Sequence, residues 1–205
     1  MTEKIDLKKR YSGLYTAKPE ASLVPVPELA TFAVDGEGDP NDKERFEDLV
    51  ASLYGAAYGL KMALKKTRGF DWIVMPLEGD WRSAELASFS MERKDEWTWT
   101  LRIVQPGEVT EAEAALAIDV ARRKKPGLEG LGRLRFERQA AHEAAHILHV
   151  GPYEAEPPTI ARLHSFIDEK GLVKSGDHRE IYLGDPRKSD PAKLKTIIRQ
   201  PVTRG

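Results

Sequence analysis

The sequence predicts an α+β protein: duplicated β-α-β-β units whose strands join in one antiparallel sheet, with helices on one face and a ligand cleft on the other. Three observations lead there. Stretches of strand and helix periodicity follow the order strand, helix, strand, strand twice along the chain. The two halves close on similar text, Leu101-Arg102-Ile103-Val104-Gln105-Pro106 against Ile197-Ile198-Arg199-Gln200-Pro201-Val202. Near the end, His178-Arg179-Glu180-Ile181-Tyr182-Leu183 reads as a strand with Glu180 and Tyr182 on one face and Ile181 and Leu183 on the other. A carboxylate and a phenol on a sheet interior must be solvated, paired or used.

The elements follow in order. Residues 1–20 are polar and form an N-terminal arm anchored by Tyr11 and Tyr15, and residues 21–205 form one domain of two pseudo-repeats, about 21–109 and 110–205. Leu23–Val34 is the first strand, and Pro25 and Pro27 suit a sheet edge. Asp35-Gly36-Glu37-Gly38-Asp39-Pro40 is a turn-rich loop. Asn41 with Glu44 has capping-box spacing, and Phe46, Leu49, Val50, Leu53, Tyr54, Ala57 and Leu60 follow at helical period, giving a helix over 41–66. Phe70–Leu77 reads as a strand, Glu78-Gly79-Asp80 as a turn and Trp97–Val104 as a strand. Thr110 and Glu113 open a helix that runs to Lys125, and its basic tail, Arg122 to Lys125, suits a solvated negative helix end rather than nucleic acid. The second half places a strand within 134–150, a helix at 157–169, and strands at 178–184 and 195–202.

Composition bounds the function. With 205 residues, 40% hydrophobic and 32% charged, the chain is long enough for a sizeable core. A net charge of −1 gives no global attraction to nucleic acid or membranes. The absence of cysteine excludes disulfides, thiol catalysis and thiolate zinc sites. Residues 1–6 have no apolar stretch of signal-peptide type, no run is long and apolar enough to span a bilayer, and a cytoplasmic home is expected. No cofactor is expected.

His142-Glu143-Ala144-Ala145-His146 matches the H-E-x-x-H pattern, which on a helix binds zinc with the glutamate as general base. Gly151-Pro152 cuts such a helix short, and in a strand the two histidines lie about 13 Å apart, too far to share a metal. A strand with surface histidines is the expectation, and a zinc metallopeptidase the alternative. Trp72, Trp81, Trp97 and Trp99 fall close together; they either pack a core or wall a flat pocket, with Thr98 and Thr100 on the opposite face under helices. Glu180 is the acid expected to matter, as a base near neutral pH or a counter-charge, with Glu78 its counterpart in the first half.

These segments, from Asp35–Asn41, Leu53-Tyr54, Ala57-Tyr58 and Lys61 through Pro76-Leu77-Glu78-Gly79, Trp81 and Trp99–Pro106 to His149–Tyr153, Glu156–Ile160, His178–Pro186 and Lys193–Arg199, resemble the GyrI-like small-molecule-binding family. The resemblance is to its stand-alone bacterial members and spans nearly the whole chain. It implies an aromatic cleft between the halves, a central glutamate at Glu180, and bulky hydrophobic aromatic compounds as ligands. The ligand-lining residues would be Glu78, Trp81, Trp97, Trp99, His149, Tyr153, Glu180 and Tyr182. Some stand-alone members hydrolyse the strained cyclopropane of DNA-alkylating antibiotics. Carried over, Glu180 would activate water while Tyr153 or Tyr182 donates to the carbonyl oxygen. A drug-sequestering or sensing protein, and a gyrase-inhibitor-like module docking on a protein, remain as alternatives. Arg82 stands where relatives often have an aromatic, which would disfavour cationic ligands. The long charged segment 83–95 reads as a lid or loop.

Overall fold

The computed structural model describes residues 4–82 and 97–205; the lid-like segment 83–95 lies outside them. Among the described residues the elements are α1 (Leu7–Arg10), α2 (Ser12–Tyr15), β1 (Ser22–Val26), β2 (Leu29–Glu37), α3 (Lys43–Arg68), β3 (Glu78–Arg82), β4 (Thr98–Gln105), α4 (Glu111–Lys124), α5 (Gly130–Arg133), β5 (Arg135–Gln139), β6 (His142–Val150), α6 (Pro157–Glu169), β7 (Leu172–Lys174), β8 (His178–Tyr182) and β9 (Lys195–Arg204). The strands form one antiparallel sheet in the order β1-β6-β9-β8-β3-β4-β2-β5, with β7 paired to the end of β9. That order is symmetric. Strands β2, β3 and β4 with α3 correspond to β6, β8 and β9 with α6, and the two units meet at β3–β8. The edge strands are exchanged: β1 from the first half pairs with β6, and β5 from the second pairs with β2. The echoing stretches Leu101–Pro106 and Ile197–Val202 fall on β4 and β9 or their ends, each one strand from the seam.

Register fixes which side chains share a face. On one face lie Phe32, Val34 and Gly36 of β2, Trp99 and Leu101 of β4, Gly79 and Trp81 of β3, His178, Glu180 and Tyr182 of β8, and Thr196 and Ile198 of β9. Helix α3 covers the β2–β4 part of that face with Leu49, Leu53, Ala57 and Leu60, and α6 covers the β6–β9 part with Leu163 and Ile167 against Ala145, Ile147 and Ile198. The seam lies between these two roofs. The other face is covered along the seam by the N-terminal arm, whose Leu7, Leu14 and Tyr15 are buried.

Several expectations are corrected. Leu23–Val34 is two strands parted at Pro27-Glu28, and β2 extends through Asp35-Gly36-Glu37. Phe70–Leu77 is no strand. Its backbone is used by the arm, with Ile5 N–H donating to the Asp71 carbonyl and Ile73 N–H to that of Ile5. The supposed turn Glu78-Gly79-Asp80 is β3 itself, because its carboxylates find guanidinium partners on neighbouring strands. The Asn41/Glu44 capping box does not form. Asn41 is held by Asp39 Oδ1 instead, at 2.9 Å from its backbone N–H, and α3 ends at Gly69 with φ 65°. At Thr110 and Glu113 the box does form, with both reciprocal bonds. The stretch 134–150 holds two strands, β5 and β6. The H-E-x-x-H residues lie on β6, so the helical arrangement a zincin needs is not there; His146 is buried rather than at the surface. No helix is long and apolar enough to cross a membrane among the described residues.

Candidate functional site

The helix-side face of the seam brings Glu180 and Tyr182 together as alternation predicts, but not on a bare face opposite the helices. They lie in the strip between α3 and α6. Glu180 faces Gly79 across the register, and His178 faces Trp81. Tyr182 donates its hydroxyl proton to Glu180 Oε2 at 2.9 Å and accepts from Trp81 Nε1 at 3.0 Å. His178 Nε2 lies 3.4 Å from Glu180 Oε1. The ring of Tyr153, in the short 3-10 turn Tyr153–Ala155 before α6, meets that of Tyr182 edge-on with centroids 5.6 Å apart.

The residue that sequence reasoning missed is Glu156. It precedes Pro157-Pro158 at the start of α6, where an acid reads as a helix-dipole partner. Its side chain makes no capping bond. It is 4% exposed and lies against Glu180, close enough to share a hydrogen bond, with Thr196 also beside it. Burial first, and the Glu180 charge second, push the Glu156 carboxyl up to about 9. Glu156 therefore keeps its proton at neutral pH, where it lies against the Glu180 carboxyl. Glu156 Oε1 is buried with no partner among the described residues. Tyr153 is pushed up to about 12 by burial and by the charges of Glu156 and Glu180. Burial and the Glu180 carboxylate hold the Tyr182 phenol well above its ordinary value.

The indoles divide. Trp81 contacts Trp97 and Trp99 at 5.9 and 6.0 Å between ring centroids. Trp99 lies under α3 against Phe46, over Gly36, where a Cβ would fall 2.1 Å from the ring. It supports Trp81 from behind, and the indole touching the carboxyl pair's own network is Trp81. Trp72 sits apart from the three, against Phe70. Thr100, expected under helices, is on the opposite face, bonded to Asp35 and Arg82.

Three other expected residues are placed elsewhere. Glu78 points to the opposite face, one residue out of phase with Gly79, and is fully buried against the Tyr15 hydroxyl at 2.6 Å and Arg179. Arg82 also points there and pairs with Asp177 at 2.7 Å, so it does not face the carboxyl pair. His149 has both ring nitrogens engaged, with Thr159 Oγ1 and the Pro152 carbonyl, each at 3.1 Å. It clasps the Gly151-Pro152 turn to α6 and so supports Tyr153 and Glu156 rather than presenting a free nitrogen.

The comparisons agree with this architecture. An uncharacterized conserved protein from Listeria innocua is 39% identical, with 98% of this chain and 100% of that one covered and a TM-score of 0.88. A hydrolase from Listeria innocua is 38% identical over the same shares, with a TM-score of 0.86. The EcmrR C-terminal domain shares the fold at 16% identity, covering 91% of this chain and 98% of that one with a TM-score of 0.56. No curated protein matches the sequence. Residues 19–202 match the model of the GyrI-like small molecule binding domain, and the chain belongs to that family.

Proposed function

We propose that the protein binds a flat, hydrophobic aromatic small molecule beside the Glu156–Glu180 pair, against Tyr153 and the Trp81 cluster, and hydrolyses a strained cyclopropane carried by that ligand. The observation that carries this reading is the pair itself: two buried carboxyl groups set against each other beside aromatic rings, with no lysine or arginine ion-paired to either among the described residues. Structural carboxylates at such depth are normally neutralised by a cation. The 38% identity to a Listeria innocua hydrolase over nearly the whole of both chains points the same way.

In the proposed reaction, water attacks the ring methylene and forms the new C–O bond while a ring C–C bond breaks. The released electron pair runs to a conjugated carbonyl oxygen, which becomes phenolate. Glu180 takes the proton from the attacking water. Tyr182 is not free to serve the carbonyl, since its proton is committed to Glu180. Tyr153 is the hydroxyl left to donate to the developing phenolate. The neutral state of Glu156 keeps a second negative charge from building up beside the base.

Incubating the protein with a duocarmycin-type compound tests this: the ring-opened, hydrated product is expected, and unchanged compound removes the catalytic claim. Binding without chemistry is a second reading. It is favoured by the engagement of both Glu180 oxygens, one by Tyr182 and the other near His178. Thermal stabilisation by the compound with no product formed would identify it.

A further inference from the structure

The Tyr182 hydroxyl sits between a group that can only donate and a group that, ionised, can only accept. The indole N–H of Trp81 has no acceptor capacity, so at 3.0 Å the phenol oxygen accepts from it. The phenol's single proton then goes to Glu180 Oε2, 2.9 Å away. Rotating that proton elsewhere gives up a charge-assisted bond to the carboxylate.

The indole reaches the phenol because residue 79 has no side chain. A Cβ there would stand 3.0 Å from Trp81 Nε1 and 3.1 Å from Cε2. Gly79 is not among the glycines with positive φ, so its backbone would accept another residue; it is the space that is needed. The indole thus lies down along β3 and aims its N–H across the seam.

We propose that Trp81 is a positioning residue acting through Tyr182: by occupying the phenol oxygen it commits the phenol proton to Glu180, fixes Glu180 as the ionised partner, and leaves the pair's shared proton on Glu156. The groups that bear on the pair are His178 and Tyr182 of β8, Thr196 of β9, Tyr153 and Glu154 from the turn before α6, and the Trp81 N–H of β3, with Asp185 beyond β8 acting on Tyr153. The Trp81–Tyr182 chain delivers a hydrogen bond of fixed direction to Glu180, with His178 3.4 Å from the same carboxyl, while the Thr196 hydroxyl beside Glu156 pulls the other way. A hydrogen bond given to the charged form favours that form. This inference rests on the pair being the functional site, but its test needs no substrate.

The test is carbon NMR of protein labelled at the glutamate carboxyl carbons, with the two resonances assigned by Glu156→Gln and Glu180→Gln. In the unaltered protein at neutral pH, Glu156 is expected at the protonated position and Glu180 at the ionised one. In Trp81→Phe and in Tyr182→Phe the two resonances should move toward each other as the proton spreads over both groups. Gly79→Ala, which keeps the indole but crowds its N–H, should produce the same displacement in smaller measure. Trp72→Phe, a similar loss of indole away from the chain, should leave both signals in place. Resonances unmoved in Trp81→Phe or Gly79→Ala overturn the proposal, as does equal movement in Trp72→Phe, which would trace the effect to loosened packing. Absence of turnover by the unaltered protein would sink the ring-opening reading and leave this one standing.

Discussion

The two faces of the β3–β8 seam bury acids to similar depth and treat them in opposite ways. On the arm side, Asp80 accepts from Arg179 at 2.5 and 3.0 Å and from Arg102 at 2.6 Å. Glu78 is bonded by Tyr15 and Arg179, and Arg102 continues to Glu137 and Arg135. Burial alone would raise the Asp80 carboxyl, but Arg179 and Arg102 hold it below its ordinary value. On the helix side, Glu156 and Glu180 have each other, a phenol and His178. The difference separates acids that pin a register from the acids that the proposed reaction would use. Asp80 and Arg179 are directly opposed across the seam, so their pairing also keeps Gly79 facing Glu180.

Breaking the arm side should have the largest effect on stability. Arg179→Ala leaves Asp80 and Glu78 buried without their cation and should lose about 3–5 kcal/mol in denaturant unfolding. A loss below about 1 kcal/mol would mean that the network does not pin the seam.

On the helix side the sign reverses. Glu156 holds its proton up to about pH 9 in the folded chain and only to about pH 4.3 when unfolded. The folded state therefore binds more protons across that window, and stability falls as pH rises through it. Glu156→Gln removes this slope, so its melting temperature should gain on the unaltered protein from about pH 5 to about pH 9, by the equivalent of about 1–3 kcal/mol near neutrality. Parallel curves would contradict the placement of the proton.

The smallest effect is on the acid limb. Burial, with Arg199 adding to it, pushes the His146 imidazole down to about 4. Its folded value lies below the unfolded value of about 6.5, so its contribution is present above that pH and lost as pH falls toward about 4. His146→Gln should flatten the acid loss by about 1 kcal/mol, read from unfolding midpoints over that range.

What the sequence revealed follows the range of the forces involved. The Thr110/Glu113 box is a three-residue affair and forms as spaced. The identical spacing at Asn41 fails because Asp39, two residues before, captures the asparagine first. Glu180 and Tyr182 were legible because alternation is local. Glu78–Asp80 looked like a turn because the arginine that makes it a strand, Arg179, is 99 positions from Asp80. Glu156 carries no local mark of burial, and its chemistry appears only when α6 sets it beside β8. The helix-side location of Trp99 was hidden for a similar reason: it depends on Gly36 of β2 making room beneath α3.

The most direct measurement compares one acid from each face of the seam. Turnover of a duocarmycin-type compound and unfolding free energy would be measured for Glu180→Gln and Glu78→Gln. Glu180→Gln should lose about 100- to 10,000-fold in turnover while stability changes by less than about 1 kcal/mol. Glu78→Gln should keep most of its turnover and lose about 1.5–3 kcal/mol of stability. Equal turnover in Glu180→Gln and the unaltered protein, or a turnover loss found in Glu78→Gln alone, would contradict the assignment of chemistry to the helix-side face.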